Sequence, residues 1–146
     1  MGRRSLAQCV RDCGQRGTFY HVLWECTHIQ RYWAGIQEII DRVLGGENPL
    51  DPKLAILNIW SPTDLTRPQR TWLSLALMVA KRNIARMWGG VDTPQIQDWE
   101  NDLDWCQLAE KTTYESRGCP EKWSRVWGRW NEYRGYTEAE VGHEEG

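Results

Sequence analysis

Apolar residues recur at three- and four-residue steps over residues 27–44. Between Thr27 and Leu44 they form one stripe, and Gly45-Gly46 follows it directly. A stripe with this spacing predicts an amphipathic helix that ends at the two glycines. Its apolar positions are Ile29, Trp33, Ile36, Ile40 and Val43.

A second predicted helix begins after Thr66 and runs to about Trp88. Thr66 is a suitable N-cap, and Pro68 falls in the first turn, where its missing N–H costs nothing. The stretch from Trp72 to Ala80 is apolar on almost every side, so we expect this helix to be the most buried one.

The connection at 47–67 contains three Xaa-Pro pairs, at Pro49, Pro52 and Pro62. Proline after Asn, Asp or Ser favours turns, so most of this stretch should be loop. One short apolar piece, Leu54 to Trp60, interrupts it. We predict a short helix there, with a strand as the alternative.

Two more helices are expected, from Thr93-Pro94 to about Arg117 and from Pro120 onward. Gly118 separates them. The buried face of the first would contain Ile96, Trp99, Leu103 and Cys106. Four acidic residues share its beginning, and we interpret them as a solvated face rather than a catalytic pair: Asp98, Glu100, Asp102 and Asp104.

The last predicted helix has Trp123, Trp127 and Trp130 at positions i, i+4 and i+7. That spacing is typical of a helix-packing stripe. The alternative is a partly exposed apolar face that docks on another protein. From Thr137 the chain is acidic and small in its side chains, which predicts disorder.

The chain is unusually rich in tryptophan, and its charge is unevenly distributed along the sequence. The chain has ten Trp, one Phe and a net charge of −2. Residues 1–33 contain five arginines and two acidic residues, a net +3, whereas residues 93–146 contain twelve acidic and six basic residues. An anionic partner would therefore meet the first part of the chain.

No apolar segment follows the first residues as a secretion signal would require. The longest apolar run, Trp72 to Ala80, is far shorter than the roughly 20 residues of a membrane span. We therefore expect a soluble, intracellular protein without a membrane partner. In that compartment thiols stay reduced, so clustered cysteines indicate a metal rather than disulfides.

Four residues near the beginning of the chain have the chemistry of a zinc site. Cys9, Cys13, His21 and Cys26 form a C-x3-C-x7-H-x4-C pattern, with Gly14 and Gly17 available for a chain reversal. Zinc prefers thiolate and imidazole ligands in a closed tetrahedron. The alternative is three unrelated cysteines and a core histidine.

Other histidines and cysteines give weaker candidates. His28 is a possible replacement ligand, but it lies too close to Cys26 in the sequence for the two side chains to bind one ion easily. Cys106 and Cys119 are expected as buried or loop thiols. A Cys/His nucleophile would need an orienting third group and an oxyanion loop, and the sequence supplies neither, so no enzyme is predicted.

The motif has a recognisable relative. The residues from Cys9 to Cys26, CVRDCGQRGTFYHVLWEC, resemble the cysteine-rich motif near the C-terminus of the reverse-transcriptase protein of LINE-type non-LTR retrotransposons. Weaker likeness extends through Trp33, Asp51-Pro52, Trp99 and Trp127, although Thr27 stands where that family often has proline. The resemblance implies a C-terminal segment that holds zinc and binds RNA.

The catalytic parts of that family would lie upstream, and no Tyr-x-Asp-Asp polymerase signature occurs here. We therefore expect a truncated copy or fragment that neither copies nor cuts nucleic acid. Docking on the absent polymerase domain, or no independent function at all, are the alternatives to nucleic-acid binding.

Nucleic-acid contacts are expected from the basic first part of the chain, with RNA preferred over DNA. Tyr20 would stack on an unpaired base, whereas Trp24 is assigned to a small core beside the metal. Lys81, Arg82 and Arg86 would either extend the basic surface or stabilise the end of their helix. The predicted phosphate contacts are Arg3, Arg4, Arg11, Arg16 and Arg31.

Together these observations predict a mainly α protein. A small zinc-binding knuckle would occupy residues 1–27, and a four-helix, tryptophan-rich, bundle-like domain residues 28–136. Residues 137–146 would form a disordered acidic tail. The sequence does not indicate an oligomeric state.

Overall fold

The computed structural model describes residues 11, 14, 18–87 and 92–136. These residues form a short π-helix and α-helices, with no strand among them, which confirms the mainly α prediction. The π-helix spans His21–Glu25. The α-helices are α1 (Thr27–Leu44), α2 (Pro52–Leu57), α3 (Arg67–Arg86), α4 (Ile96–Ser116) and α5 (Pro120–Arg134). The predicted acidic tail, 137–146, lies outside the described residues.

The start of α3 follows the sequence prediction. Thr66 Oγ1 accepts a hydrogen bond from the Gln69 N–H at 3.3 Å, and Gln69 Oε1 accepts one from the Thr66 N–H at 2.8 Å. This reciprocal pair is a capping box, which satisfies two backbone donors that the first turn leaves without partners. Pro68 lies in the first turn, as expected.

Helix α2 is shifted relative to its predicted range, and α4 begins later than predicted. Helix α2 begins at Pro52 because Asp51 Oδ1 caps it through the Leu54 N–H at 2.8 Å, and it ends at Asn58, which has a left-handed φ of 55°. Helix α4 begins at Ile96, after the predicted start at Thr93-Pro94, and ends at Ser116, beside the predicted end at about Arg117. Capping by Asp51 thus explains the start of α2, whereas no side-chain cap accompanies the later start of α4.

The four long helices, α1, α3, α4 and α5, pack together. Helix α5 contacts α1, α3 and α4, and α1 also contacts α4. The last contact is close at Gly35, where a Cβ would lie 2.8 Å from Ile96 Cδ1. A glycine in mid-helix destabilises the helix by about 1 kcal/mol relative to alanine, but here it leaves the space that Ile96 fills.

Tryptophans form the centre of the core. Trp130 lies between Trp72 and Trp99, with ring centroids 5.9 and 5.8 Å away, and Trp123 and Trp127 are also buried. The packing-stripe interpretation of α5 is confirmed, and this stripe is not an exposed docking face. Indole N–H groups donate to neighbouring helices: Trp99 to Ala76 O (2.9 Å), Trp123 to Gln107 O (2.8 Å) and Trp130 to Asp104 Oδ1 (2.9 Å).

Two carboxylates of α4 are paired with α5. Arg134 lies 2.8 Å from Asp104 and 3.6 Å from Glu100, whose Oε2 also accepts from the Tyr133 hydroxyl at 2.7 Å. Burial and this hydrogen bond raise the pKa of Tyr133 to about 12. The predicted solvated face is therefore wrong for Glu100 and Asp104, which are half-buried, and for Asp102, which is half-buried and pairs with Arg86 at 3.0 Å, whereas Asp98 is exposed.

In the part of the chain that the structure describes, no helix is long and apolar enough to cross a bilayer.

Candidate metal centre

The π-helix brings two of the four predicted ligands to consecutive turns. Its first N–H groups bond back to Thr18: the His21 N–H to Oγ1 at 3.1 Å and the Val22 N–H to the carbonyl at 2.9 Å. The Cys26 N–H then donates to the His21 carbonyl at 2.8 Å, five residues back. π-Helical turns are rare and are often found at functional sites.

His21 is buried beside a carboxylate. Only 4% of the residue is exposed, and its Nδ1 lies 3.6 Å from Glu25 Oε1, one turn later on the exposed side. Sequence reasoning missed Glu25, although its i+4 position relative to His21 was the available signal. A carboxylate beside one ring nitrogen is the usual arrangement around a metal-bound histidine, because it fixes the tautomer and the ring orientation.

Cys26 is fully buried where the π-helix meets α1. It is the N-cap residue of α1, and its carbonyl accepts from the Ile29 and Gln30 N–H groups at 3.0 and 2.9 Å. It belongs to the buried apolar core, which also includes residues of α1 and the other long helices. Its position is therefore set by the start of the helix, which allows little adjustment.

Arg11 connects the earlier part of the chain to this segment. Its guanidinium NH1 donates to the Val22 carbonyl at 3.0 Å, and only 5% of the residue is exposed. Arg11 lies between Cys9 and Cys13 in the sequence. This internal role gives no support to the prediction that Arg11 contacts phosphate.

The other predicted residues of the first segment cannot be placed. Cys9 and Cys13, and with them Arg3, Arg4 and Arg16, lie outside the described residues. Among residues 11, 14, 18–87 and 92–136, no three His, Cys, Asp or Glu side chains lie close enough to hold a metal ion. The zinc prediction therefore stays a prediction.

The other histidine and cysteine candidates lie outside the His21–Cys26 segment. His28 is exposed, unlike the neighbouring Cys26. Cys106 and Cys119 are half-buried and form no disulfide. Cys106 Sγ accepts from Arg82 at 3.8 Å, and burial raises the pKa of this thiol above its usual value. This thiol thus has the packed role expected for it.

The predicted nucleic-acid residues that the structure describes include two on the surface. Tyr20 is 44% exposed, and Arg31 is exposed on α1. Trp24 packs against Trp33, with ring centroids 5.3 Å apart, while the Trp33 indole donates to the Leu23 carbonyl at 2.7 Å. Trp24 therefore belongs to a small aromatic core, as expected.

The cations near the end of α3 have partners inside the protein. Lys81 Nζ donates to the Ile56 carbonyl at 3.0 Å, Arg86 pairs with Asp102 at 3.0 Å, and Arg82 contacts Cys106. These contacts join α3 to α2 and α4. They favour the structural interpretation of the three residues over a basic surface.

No protein-family model matches this chain, and no solved structure matches it.

Proposed function

We propose that this chain is an RNA-binding segment whose first part is a zinc knuckle formed by Cys9, Cys13, His21 and Cys26. It would correspond to the C-terminal segment of a non-LTR retrotransposon reverse-transcriptase protein, with a tryptophan-rich bundle-like domain after the knuckle. The observation that carries the proposal is the Arg11–Val22 hydrogen bond. It holds Arg11, which lies between Cys9 and Cys13 in the sequence, against Val22, the residue after His21.

The described half of the site has suitable chemistry for zinc. Cys26 would bind as a thiolate and His21 as a neutral ring, with Glu25 beside Nδ1 as the orienting carboxylate. Both residues are buried, which would keep competing water away from a bound ion. Cys9 and Cys13 would complete the tetrahedron, and zinc would then contribute directly to the folding of this segment.

RNA would meet the protein beside this site. Tyr20 and Phe19 are exposed next to His21, and in this proposal their rings stack on unpaired bases. Arg31 is one turn beyond Cys26, and Arg3, Arg4 and Arg16 belong to the same stretch of sequence. Aromatic rings among arginines are typical of surfaces that bind single-stranded RNA.

Metal content is the first test. Elemental analysis of purified protein should give about one zinc per chain, and Cys13→Ser should lower that ratio strongly. Cys119→Ser is the matched control, because Cys119 lies far along the chain and should leave the zinc content unchanged. A zinc-free protein, or equal metal content in both variants, would contradict the knuckle.

RNA binding is the second test. Arg16→Ala with Arg31→Ala should weaken binding of a single-stranded RNA and flatten its salt dependence by about 1.4 in log–log slope, or about 0.7 per phosphate contact. The control is Arg82→Ala with Arg86→Ala, which removes the same charge from residues with internal partners. Equal losses in both double variants would mean that only total charge matters and would contradict a local surface.

A further inference from the structure

The beginning of α3 lies between two surface cavities. The larger, of about 730 Å³, is lined by the loop after α2, the first half of α3 and the second half of α4, and includes Trp60, Arg67, Arg70 and Tyr114. The smaller, of about 340 Å³, is lined by the end of α1, the beginning of α3 and α5, and includes Arg125 and Arg129. Within 66–70, Arg67 and Arg70 line the larger cavity and the other three residues line the smaller one.

Four arginines of these cavities lack acidic partners. Arg67, Arg70, Arg125 and Arg129 form no ion pair within the described ranges, whereas Arg42, Arg86 and Arg134 each pair with a carboxylate. Four such charges therefore lie around the beginning of α3, although cations elsewhere on the surface, such as Arg31 and Lys53, also form no ion pair within the described ranges. Unneutralised arginines beside cavities are suited to phosphate groups.

Two of these guanidinium groups are held in place by single hydrogen bonds to carbonyls. Arg70 NH1 donates to Leu65 O at 2.8 Å, and Arg129 NH1 donates to Leu44 O at 2.9 Å. Each arginine has five N–H donors, so several remain for a ligand. Fixing the side chain in advance reduces the entropy lost on binding.

The larger cavity also offers groups for bases. Trp60 and Tyr114 are half-buried in its wall, and the Trp60 indole is held by a hydrogen bond to Asn58 Oδ1 at 3.2 Å. Glu110 lines the same cavity, and its Oε1 is buried without a hydrogen-bond partner in the described structure. Such an acceptor suits the amino group of an unpaired base, while its charge would keep phosphates on the arginine side.

We infer that a single-stranded RNA crosses the beginning of α3, with its phosphates on the four arginines and a base in the Trp60–Tyr114 cavity. This surface is separate from the knuckle and adds a second contact to the RNA binding proposed above. A duplex cannot insert a stacked base into a cavity, so the surface should prefer unpaired strands. The inference rests on the proposed function only for the choice of RNA as the ligand.

Fluorescence anisotropy with a labelled single-stranded RNA of about 15 nucleotides tests this surface. Arg67→Ala with Arg125→Ala should reduce the log–log salt slope by about 1.4, because two phosphate contacts are lost. Both side chains are exposed, so the fold should be retained. Trp60→Ala should weaken binding roughly tenfold through lost stacking, with the salt slope unchanged.

The matched control is again Arg82→Ala with Arg86→Ala, at the opposite end of the same helix. Wild-type binding by the Arg67/Arg125 variant, or an equal loss in the control, would overturn the inference. So would equal affinity for a blunt RNA duplex of the same length, or binding of an acidic peptide in place of RNA. Each of these results would assign the arginines another role.

The two RNA surfaces fail in different ways. Loss of zinc should weaken the knuckle contact and leave the effect of Arg67→Ala with Arg125→Ala intact. The wild type and this double variant are therefore both measured with and without chelator. If the purified protein contains no zinc but the arginine substitutions still lower RNA affinity, this inference holds and the knuckle is rejected. If the protein contains zinc and the arginine substitutions leave the affinity unchanged, the knuckle holds and this inference is rejected.

Discussion

The tryptophan core and the His21–Cys26 segment stabilise their polar groups in different ways. In the core, Trp99 and Trp123 donate to carbonyls of helices that pack against them. In the His21–Cys26 segment, the Val22 carbonyl accepts from Arg11, outside the helices. These two indoles thus find their acceptors within α1–α5, whereas the Val22 carbonyl depends on a residue that precedes the segment. The predictions below test this difference.

The largest effect is expected at the centre of the core. Trp130→Ala should lower the free energy of unfolding by about 3–5 kcal/mol, because a fully buried indole is removed and a cavity remains. Thermal unfolding followed by circular dichroism measures the loss. Trp105→Ala is the control, since Trp105 is 69% exposed and should change stability by less than about 0.5 kcal/mol.

Arg11→Ala should have a smaller and more local effect. The Val22 carbonyl would lose a buried charged donor, at a cost of about 1–3 kcal/mol. Hydrogen exchange should speed up in residues 18–26 and stay unchanged around Trp99 and Trp130. Acceleration throughout α3–α5 would show that the two regions are one cooperative unit.

Thr66→Ala should cost about 1 kcal/mol, because it removes the capping box of α3. The midpoint of urea unfolding should fall while the slope stays constant. Thr63→Ala offers a comparison, since Thr63 Oγ1 accepts only a loop N–H, that of Leu65. Equal shifts in the two variants would argue against a specific capping contribution.

The smallest effect should appear only at alkaline pH. The pKa of Tyr133 is raised from 10.0 to about 12, so the unfolded chain releases this proton first. Stability from this group is complete below pH 10 and is lost as the pH rises toward 12. Melting temperatures of Tyr133→Phe and the wild type should therefore converge over that range, and parallel curves would contradict the assignment.

Helices were predictable wherever spacing and caps acted locally. The Thr27–Leu44 stripe, the Thr66 cap and the α5 tryptophans each depend on residues a few positions apart, and the structure confirms all three. The end of α2 was not predictable from apolar spacing, because Asn58 adopts a left-handed conformation before the apolar stretch is finished.

Long-range partners limited the rest of the prediction. The acidic start of α4 resembled a solvated face because Arg134, which pairs with Glu100 and Asp104, lies 30 residues beyond Asp104 in sequence. Arg11 resembled a phosphate ligand because its carbonyl partner follows 11 residues later. Unpaired cations such as Arg67 and Arg125 are likewise recognisable only once the positions of all carboxylates are known.

The absence of a side chain at Gly35 has a consequence beyond the contact that it permits with Ile96. Helix α1 begins at the cap residue Cys26 and meets α4 at Gly35, against Ile96. A methyl group at position 35 would lie 2.8 Å from Ile96 Cδ1, so either the Ile96 side chain shifts or α1 tilts at that crossing. In the second case the direction in which Cys26 faces would change, although nothing near Cys26 had been altered.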